Sequence, residues 1–550
     1  MNNIETLEEK IYQRNKWTYS VSGIGRDMMY TLVATFLMTY IQFSGLGLTE
    51  GQFFAIGVIL VIGRIWDGIN DPIMGSIVEN TKSKFGKFKP WIVIGAILTS
   101  VSVLFMFNLR PTGTGFVVFF AIVYFVWEIA WTLNDIPYWS LLPNLSRTKK
   151  RRDQIASMVV VFAAVGAFAA NAIVSLFTVG NAIMGYRIIS ITFVLFFLLC
   201  TALTVFGVKE PKNINPYEEE KVSLKQMFSS IKNNDQLLWV TLALLLYTVG
   251  SGILVALGYN FFYMELGYNG TIVLIFVATF GVVTILVQSF YAKLAKRFTR
   301  NQLMTFGVIM TFIGYFLFLI MGYIGFLPIH IITVCIFGAF AFGGQAIIYM
   351  TIIINMTNTI EYNEYKTGKR NEAILFSLRP FVVKLASAIQ QGIMTLVLIL
   401  FGIYALSQNV SELEAQKNYF DVIETTVEQD LYKINISLRN VDTINNLDID
   451  QSRKDAIYSA LDQVDYIDND GDEIEEMIIN DAADSAFKDK ATPEMKLGLR
   501  LSITIMPVIL IGLAFLVFKT KFIITEEYYD RIVEEIREKL KESDAVEDIV

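Results

Sequence analysis

The sequence predicts an all-α membrane protein: twelve transmembrane helices in two six-helix bundles, with a helical extracytoplasmic insert. Three observations carry this. Hydrophobic residues make up 54% of the 550 positions and charged residues only 18%, too few to cover the surfaces of a soluble chain of this length. The apolar residues fall into runs near or above the ~20 residues needed to cross a bilayer. Between those runs, Lys and Arg collect in alternate loops.

The runs lie at about 18–43, 51–78, 91–110, 115–142, 153–179, 186–208, 236–263, 271–292, 302–324, 328–356, 373–405 and 497–518. The polar residues 1–16 give no sign of a cleavable leader. The chain divides into an amino-terminal bundle (1–208), a charged cytoplasmic linker (209–235), helices seven to eleven (236–405), an acidic insert (406–494), helix twelve (495–520) and a charged, helical tail (521–550). Basic residues cluster at 82–89, 147–152, 293–300 and 366–370, while the alternate loops are short and nearly neutral. The positive-inside rule then puts the basic loops and both termini in the cytoplasm and the insert outside, in a multi-pass protein of the cell membrane.

The formal net charge of −7 is two numbers. The insert holds 22 acidic and 7 basic residues, which leaves 38 Lys and Arg against 30 Asp and Glu elsewhere. Acidity belongs to the insert, and the membrane part is basic. Leu413, Tyr419, Phe420, Ile423 and Val427 recur at helical spacing within the insert, so helices are expected there. Asp468-Asn469-Asp470-Gly471-Asp472 looks like part of a calcium loop. Setting Gly471 at the sixth position puts Tyr466 and Met477 where Asp and Glu are required, which excludes an EF-hand.

Scarce residues exclude much chemistry. One histidine, His330, and two distant cysteines, Cys200 and Cys335, supply neither a His/Cys metal centre nor a catalytic triad. His330 opens a predicted helix and reads as structural. No enzymatic activity, resident cofactor or nucleic-acid partner is expected.

Charges inside the spans cost ~2.5–3.5 kcal/mol each at mid-bilayer and mark pathways. Span one carries Arg26 and Asp27, span two Arg64, Asp67 and Asp71, span four Glu128 and Asp135, and span eleven Arg379 and Lys384. Asp67 and Asp71 are four apart and share a helix face. Two such carboxylates repel, and a proton or a small hard cation relieves them. Asn70, and backbone groups freed by Pro72, are available to the same site. The competing reading is a pair neutralised by Arg64 or Lys384. On span four, Thr132, Asp135 and Trp139 lie along one face. A carboxylate accepts from adjacent sugar hydroxyls while an indole covers the apolar sugar face. Asp27 is a second hydroxyl clamp, with Arg26 pairing it or touching substrate. Glu128 is either a third acid or an ion-pair partner.

Arg64-Ile65-Trp66-Asp67-Gly68-Ile69-Asn70-Asp71-Pro72, continuing to Gly86-Lys87-Phe88-Lys89-Pro90-Trp91, closely resembles the signature of the glycoside-pentoside-hexuronide:cation symporters of the major facilitator superfamily. Gly25-Arg26-Asp27, the stretch from Asn134 to Ser140, and the stretch from Glu361 to Lys366 with Lys384 downstream are similar to the same family. The resemblance implies a major facilitator fold and cation-coupled sugar transport. It implies a site for sodium, lithium or a proton at Asp67, Asp71 and Thr132. It implies sugar carboxylates at Asp27 and Asp135 with Trp139 stacking, the family's lysine at Lys384, and Tyr349 at a sugar-bordering aromatic position. Arg26 stands where melibiose-type members have a lysine. The arginine those members carry early on span five is missing from 157–161. Arg379-Pro380, Glu128 and the large insert are further departures, and Arg379 either suits a uronic acid or neutralises Glu128. The resulting expectation is a symporter of a sugar or glycoside, embedded in the lipid bilayer. The alternatives are a lipid or lysolipid transporter on the same fold, or a non-transporting sensor that uses the insert. The insert's partner is unknown.

Overall fold

The computed structural model describes residues 2–146, 148–209, 229, 234–368, 372–447, 449–469, 471 and 473–547. The expected linker therefore lies almost wholly outside the described residues, as do Arg147, Lys369, Arg370, Asp470 and Asp472.

The amino-terminal half comprises α1 (Asn2–Phe43), α2 (Glu50–Glu79), α3 (Lys89–Asn108), α4 (Gly113–Leu141), α5 (Lys149–Thr178) and α6 (Ala182–Ala202). The other half comprises α7 (Asp235–Glu265), α8 (Gly270–Leu294), α9 (Arg300–Ile320), α10 (Ile331–Thr367), α11 (Glu372–Leu400) and, after the insert, α17 (Pro493–Lys521). Eleven of these twelve are long and apolar enough to cross a membrane among the described residues. The twelfth is α1, whose polar first third and Arg26-Asp27 pair lower its hydropathy, yet it packs along α5 and α6 like its fellows.

Lipid exposure is written into α2. Ile62, Ile65, Ile69, Ile73 and Ile77 form an exposed stripe, while Gly63, Arg64, Asp67 and Met74 on the other face are buried. Outward-facing isoleucines around an inward charged face are what a bilayer permits and water does not. Two helices run further than their apolar runs: α1 begins at Asn2, and α10 carries the polar stretch Glu361 to Lys366 until Gly368, at φ +68, ends it. A left-handed residue at that position is glycine's role. His330 caps the start of α10, its Nδ1 accepting from Ile332 N at 3.3 Å.

The insert packs on one end of the bundle. Span eleven stops at Leu400, five residues short of expectation, because Gly402 (φ +67) turns the chain into α12 (Ile403–Phe420). Next come α13 (Thr426–Ser437), α14 (Asp442–Asn445), α15 (Gln451–Leu461), an antiparallel hairpin β1 (Asp465–Ile467) and β2 (Glu476–Ile478), and α16 (Asn480–Ala483). The hairpin corrects the all-helical expectation. Its turn is tied by Asp468, whose carboxylate accepts from Gly471 N at 2.7 Å and Glu473 N at 3.2 Å. Leu413 and Phe420 are buried as their spacing required, but Tyr419 and Val427 face outward. The charged tail is α18 (Glu526–Glu547), laid against the extension of α10 through Tyr362 and Tyr528.

At the insert end the two halves are pinned together. Gln42 and Asn260 exchange amide hydrogen bonds at 2.6 and 3.2 Å, and Ser175 meets Tyr259 at 3.0 Å. The insert bridges both halves: Glu414 accepts from Ala182 N at 2.6 Å and from Tyr268 Oη at 2.8 Å. Tyr404 donates to Leu48 O at 2.8 Å, and Asp484 accepts from Tyr268 N at 2.5 Å.

Candidate functional site

Midway along the bundle, α1, α2, α4 and α11 bring the sequence-predicted residues into two adjoining clusters. The first is centred on Arg26, whose side chain is 9% exposed. It donates to Asp27 at 2.8 Å and to Asp135. Its guanidinium lies 5.0 Å from the ring centres of Tyr138 and Trp139 and 5.7 Å from Trp131. An arginine fits this place because its planar fork serves two carboxylates while its faces rest on rings. Its Nε is buried and makes no hydrogen bond among the described residues. Asp27 and Asp135 keep 27% and 22% of their side chains open, so each retains acceptor capacity toward solvent or a ligand. Arg26 thus pairs both acids.

The second cluster lies one turn away along α4. Lys384 on α11 sits between the two carboxylates of α2, with Nζ 3.0 Å from Asp67 and 2.5 Å from Asp71. Thr132 donates to Asp67 at 3.2 Å. Asp67 is sealed at 2% exposure while Asp71 is 22% open. The ammonium of Lys384 thus stands where a bound cation would relieve the pair. The oxygen set suits a hard monovalent ion: two carboxylates, a hydroxyl, and the Asp67 carbonyl, which lies 3.5 Å from Lys384 Nζ. Asn70 lies partly exposed on the same helix and enters no described hydrogen bond.

Beside these clusters, Arg64 is 3.8 Å from Glu128, and its guanidinium faces Tyr30 at 5.8 Å and Trp127 at 5.5 Å. Glu128 is therefore an ion-pair partner. The idea that Arg379 neutralises it is corrected, because Arg379 is exposed and donates instead to Tyr349 Oη at 2.5 Å. Side-chain reach across the bundle, invisible in one dimension, decides that choice.

The carboxy-terminal half contributes what charge could not reveal. A cavity of about 430 Å³ opens between α1, α7, α8, α10 and α11, lined by Gln345, Gln390, Gln391, Thr248, Thr284 and Tyr349 among others. Uncharged amides in apolar runs give a weak signal, although Gln390-Gln391 inside span eleven is one, since polar groups in hydrocarbon need partners. A wider groove between α1 and α5, at Lys16, Ser157 and Met158, is an open surface feature away from both clusters.

Two paired half-bundles with a polar centre define a multi-pass transporter of the major facilitator class. The chain belongs to the family described as MFS/sugar transport protein, which it matches over residues 18–423, and the glycoside-pentoside-hexuronide resemblance of its second span agrees. That family is one of transporters rather than enzymes. The chain is 27% identical over 412 residues to the lactose permease of Lactobacillus delbrueckii subsp. bulgaricus, covering 72% of this chain and 64% of that protein. It is 25% identical to the raffinose carrier protein of Pediococcus pentosaceus, covering 70% and 62%. The chain thus spans less than two thirds of either relative. The fold is similar to the crystal structure of a bacterial homolog to the human lysosomal transporter Spinster, with a TM-score of 0.56, 13% identity, and coverage of 94% of this chain and 97% of that one.

Proposed function

We propose that the protein is a cation-coupled symporter of a sugar or glycoside, working by alternating access in the plasma membrane, with both termini cytoplasmic and the insert outside. One observation carries the reading: α4 places Thr132, in the Asp67/Asp71 cluster, one turn from Asp135, in the Arg26 cradle. Two ligands bound to one stretch of helix feel each other's order. Sodium, lithium or a proton entering between Asp67 and Asp71 displaces Lys384, fixes the α2 carboxylates and steadies α4. Asp27 and Asp135 then accept from adjacent sugar hydroxyls, Trp139 covers the ring face, and Arg26 donates to ring or glycosidic oxygens. Each ligand raises the other's affinity by the same factor.

The contacts at the insert end, set against the partly open Asp27 and Asp135, are consistent with a carrier open toward the cytoplasm. The half-bundles rock about the central site to face outward. Uptake in proteoliposomes under an inward sodium or proton gradient tests this. Asp67→Cys and Asp71→Cys are expected to abolish cation-stimulated sugar binding while expression persists. Normal coupled uptake in both variants overturns the proposal.

A further inference from the structure

The insert is joined to the carboxy-terminal half at both of its ends, to α11 and to α17, yet it is also docked on the amino-terminal half. Successive turns of α12 meet successive elements there. Tyr404 donates to Leu48 O in the α1–α2 loop at 2.8 Å and stacks on Phe53 of α2, with ring centres 3.8 Å apart. Gln408 donates to Gln42 O of α1 at 3.1 Å, and Ser411 Oγ accepts from Gly45 N at 2.8 Å. Glu414 accepts from Ala182 N, the first residue of α6, at 2.6 Å. Positions 404, 408, 411 and 415 are three and four apart, so one face of α12 makes these contacts. A Cβ at Gly45 (φ +66) would lie 2.8 Å from Ala415 Cβ, so the loop is shaped for the close approach of the helix.

The insert holds the other half differently. Asp484 accepts from Tyr268 N in the α7–α8 loop at 2.5 Å, and Asn480 donates to Tyr268 O at 3.4 Å. A Cβ at Gly267 (φ +108) would lie 2.6 Å from Asp484 Oδ2. Because α11, α17 and that loop all belong to the carboxy-terminal half, these contacts survive any tilt of one half against the other. Nothing covalent ties α12 to the amino-terminal half. The face it docks there is polar for a buried one: Ser407, Gln408, Ser411 and Glu414 are all buried. Such contacts are exchanged for water at a net cost of ~0.5–1.5 kcal/mol each, which suits an interface that opens, whereas permanent interfaces are more apolar.

We propose that α12 is a releasable outer latch. It travels with the carboxy-terminal half and lets go of α1, the α1–α2 loop and the start of α6 whenever the outer mouth opens. Its docking strength therefore sets how much of the protein stands closed to the outside. The inference rests on the alternating-access reading and adds a part to it: the Gln42–Asn260 pair and the α12 face open together.

The test uses the full chain with Cys200 and Cys335 replaced by alanine, in proteoliposomes with the insert outward. Two cysteine pairs are bridged by oxidation, and loss of free thiol confirms each bridge. Gly45→Cys with Ala415→Cys crosses the latch, and Gly267→Cys with Asp484→Cys stays within the carboxy-terminal half. Met38→Cys is the reporter: Met38 is 3% exposed, one turn inward of Gln42, and an impermeant maleimide added on the insert side reaches it through an open outer mouth. The bridged latch is expected to stop both cation-driven sugar uptake and labelling, and reductant is expected to restore them, which shows that the variant is folded. The bridge between positions 267 and 484 is expected to leave both as in the unbridged protein. Tyr404→Phe with Ser411→Ala deletes two hydrogen bonds to the amino-terminal half and is expected to raise the labelling rate about tenfold. Full uptake through the bridged latch, equal losses from the two bridges, or unchanged labelling in Tyr404→Phe with Ser411→Ala overturns the latch. Labelling that follows the latch in a protein without cation-driven uptake leaves the latch standing and overturns the symport reading.

Discussion

In α1, α2 and α4 the polar chemistry is ionic, whereas in α7, α8 and α10 the groups facing the centre are amides, hydroxyls and phenols. The difference shows in how the groups are held. Arg26, Arg64 and Asp67 are 9%, 5% and 2% exposed, and each faces an opposite charge, Arg64 standing 3.8 Å from Glu128 without a hydrogen bond among the described residues. A desolvated charge must be paired, so this half is a fixed lattice. Gln391 Oε1, Thr248 Oγ1 and Thr284 Oγ1 are buried without hydrogen-bond partners among the described residues, as are Arg26 Nε, Arg64 Nε and both carboxylate oxygens of Glu128 in the first half, and an uncharged group tolerates this at far lower cost. Toward the centre one half presents charges and the other uncharged polar groups, while away from the centre the carboxy-terminal half has a buried ion pair of its own, Arg500 with Glu265. Lys384 is the exception that joins them, a cation of one half spent on the carboxylates of the other.

The contrast is most exposed to challenge at Arg64. Arg64→Leu leaves Glu128 buried and unpaired and is expected to destabilise the protein by ~3–5 kcal/mol, read as a large drop in detergent melting temperature. Arg64→Leu with Glu128→Leu is expected to recover most of that loss, and a melting temperature unchanged in the single variant would remove the fixed-lattice view. Next in size, Asp135→Ala deletes a partly open acceptor of Arg26. Sugar affinity is expected to fall about tenfold to a hundredfold, the worth of ~1.5–3 kcal/mol in charge-assisted hydrogen bonds, with little change in melting.

A third prediction extends the comparison to the insert. Burial pushes the carboxyls of Glu412 and Glu414 up to about 7. Lys417 and the Tyr268 hydroxyl, together with Ala182 N, face Glu414 and pull the other way. A raised carboxyl means that the docked insert binds protons more tightly than the undocked one. Docking is therefore strongest below the ordinary carboxylate range and weakens as pH rises through about 7. The protection factors of α12, exchange rates corrected for their intrinsic pH dependence, are expected to be higher at about pH 5.5 than at about pH 8, and Glu412→Gln with Glu414→Gln is expected to flatten that dependence. The smallest effect belongs to the cap of α10. His330→Ala is expected to cost ~0.5–1 kcal/mol and to leave sugar uptake unchanged.

What was legible in the sequence follows the same division. The second-span motif and the charges of spans one and four stood out because charge is rare in apolar runs, and the fold places Asp67, Asp71, Thr132 and Lys384 within one cluster. The pairing of Arg64 rather than Arg379 with Glu128 depends on which helices face each other, which no spacing encodes. The amide cavity left only the weak signal of Gln390-Gln391 inside an apolar run, because glutamine and threonine are unremarkable in composition. The hairpin in the insert was missed because three-residue strands leave almost no periodic trace, and α1 and α10 outran their hydropathy because helices continue into water wherever tertiary contacts support them.

The placement of Lys384 also has an electrical consequence. Formal charges on Asp67, Asp71 and Lys384 sum to minus one, and a monovalent cation bound among them brings the sum to zero. For a carrier of the kind proposed, the loaded stroke then moves no net charge at this site, and the empty stroke moves one. An elementary charge crossing the whole field is worth ~2.3 kcal/mol per 100 mV. In such a carrier an interior-negative potential would act on the empty trio, drive it outward and speed the return stroke.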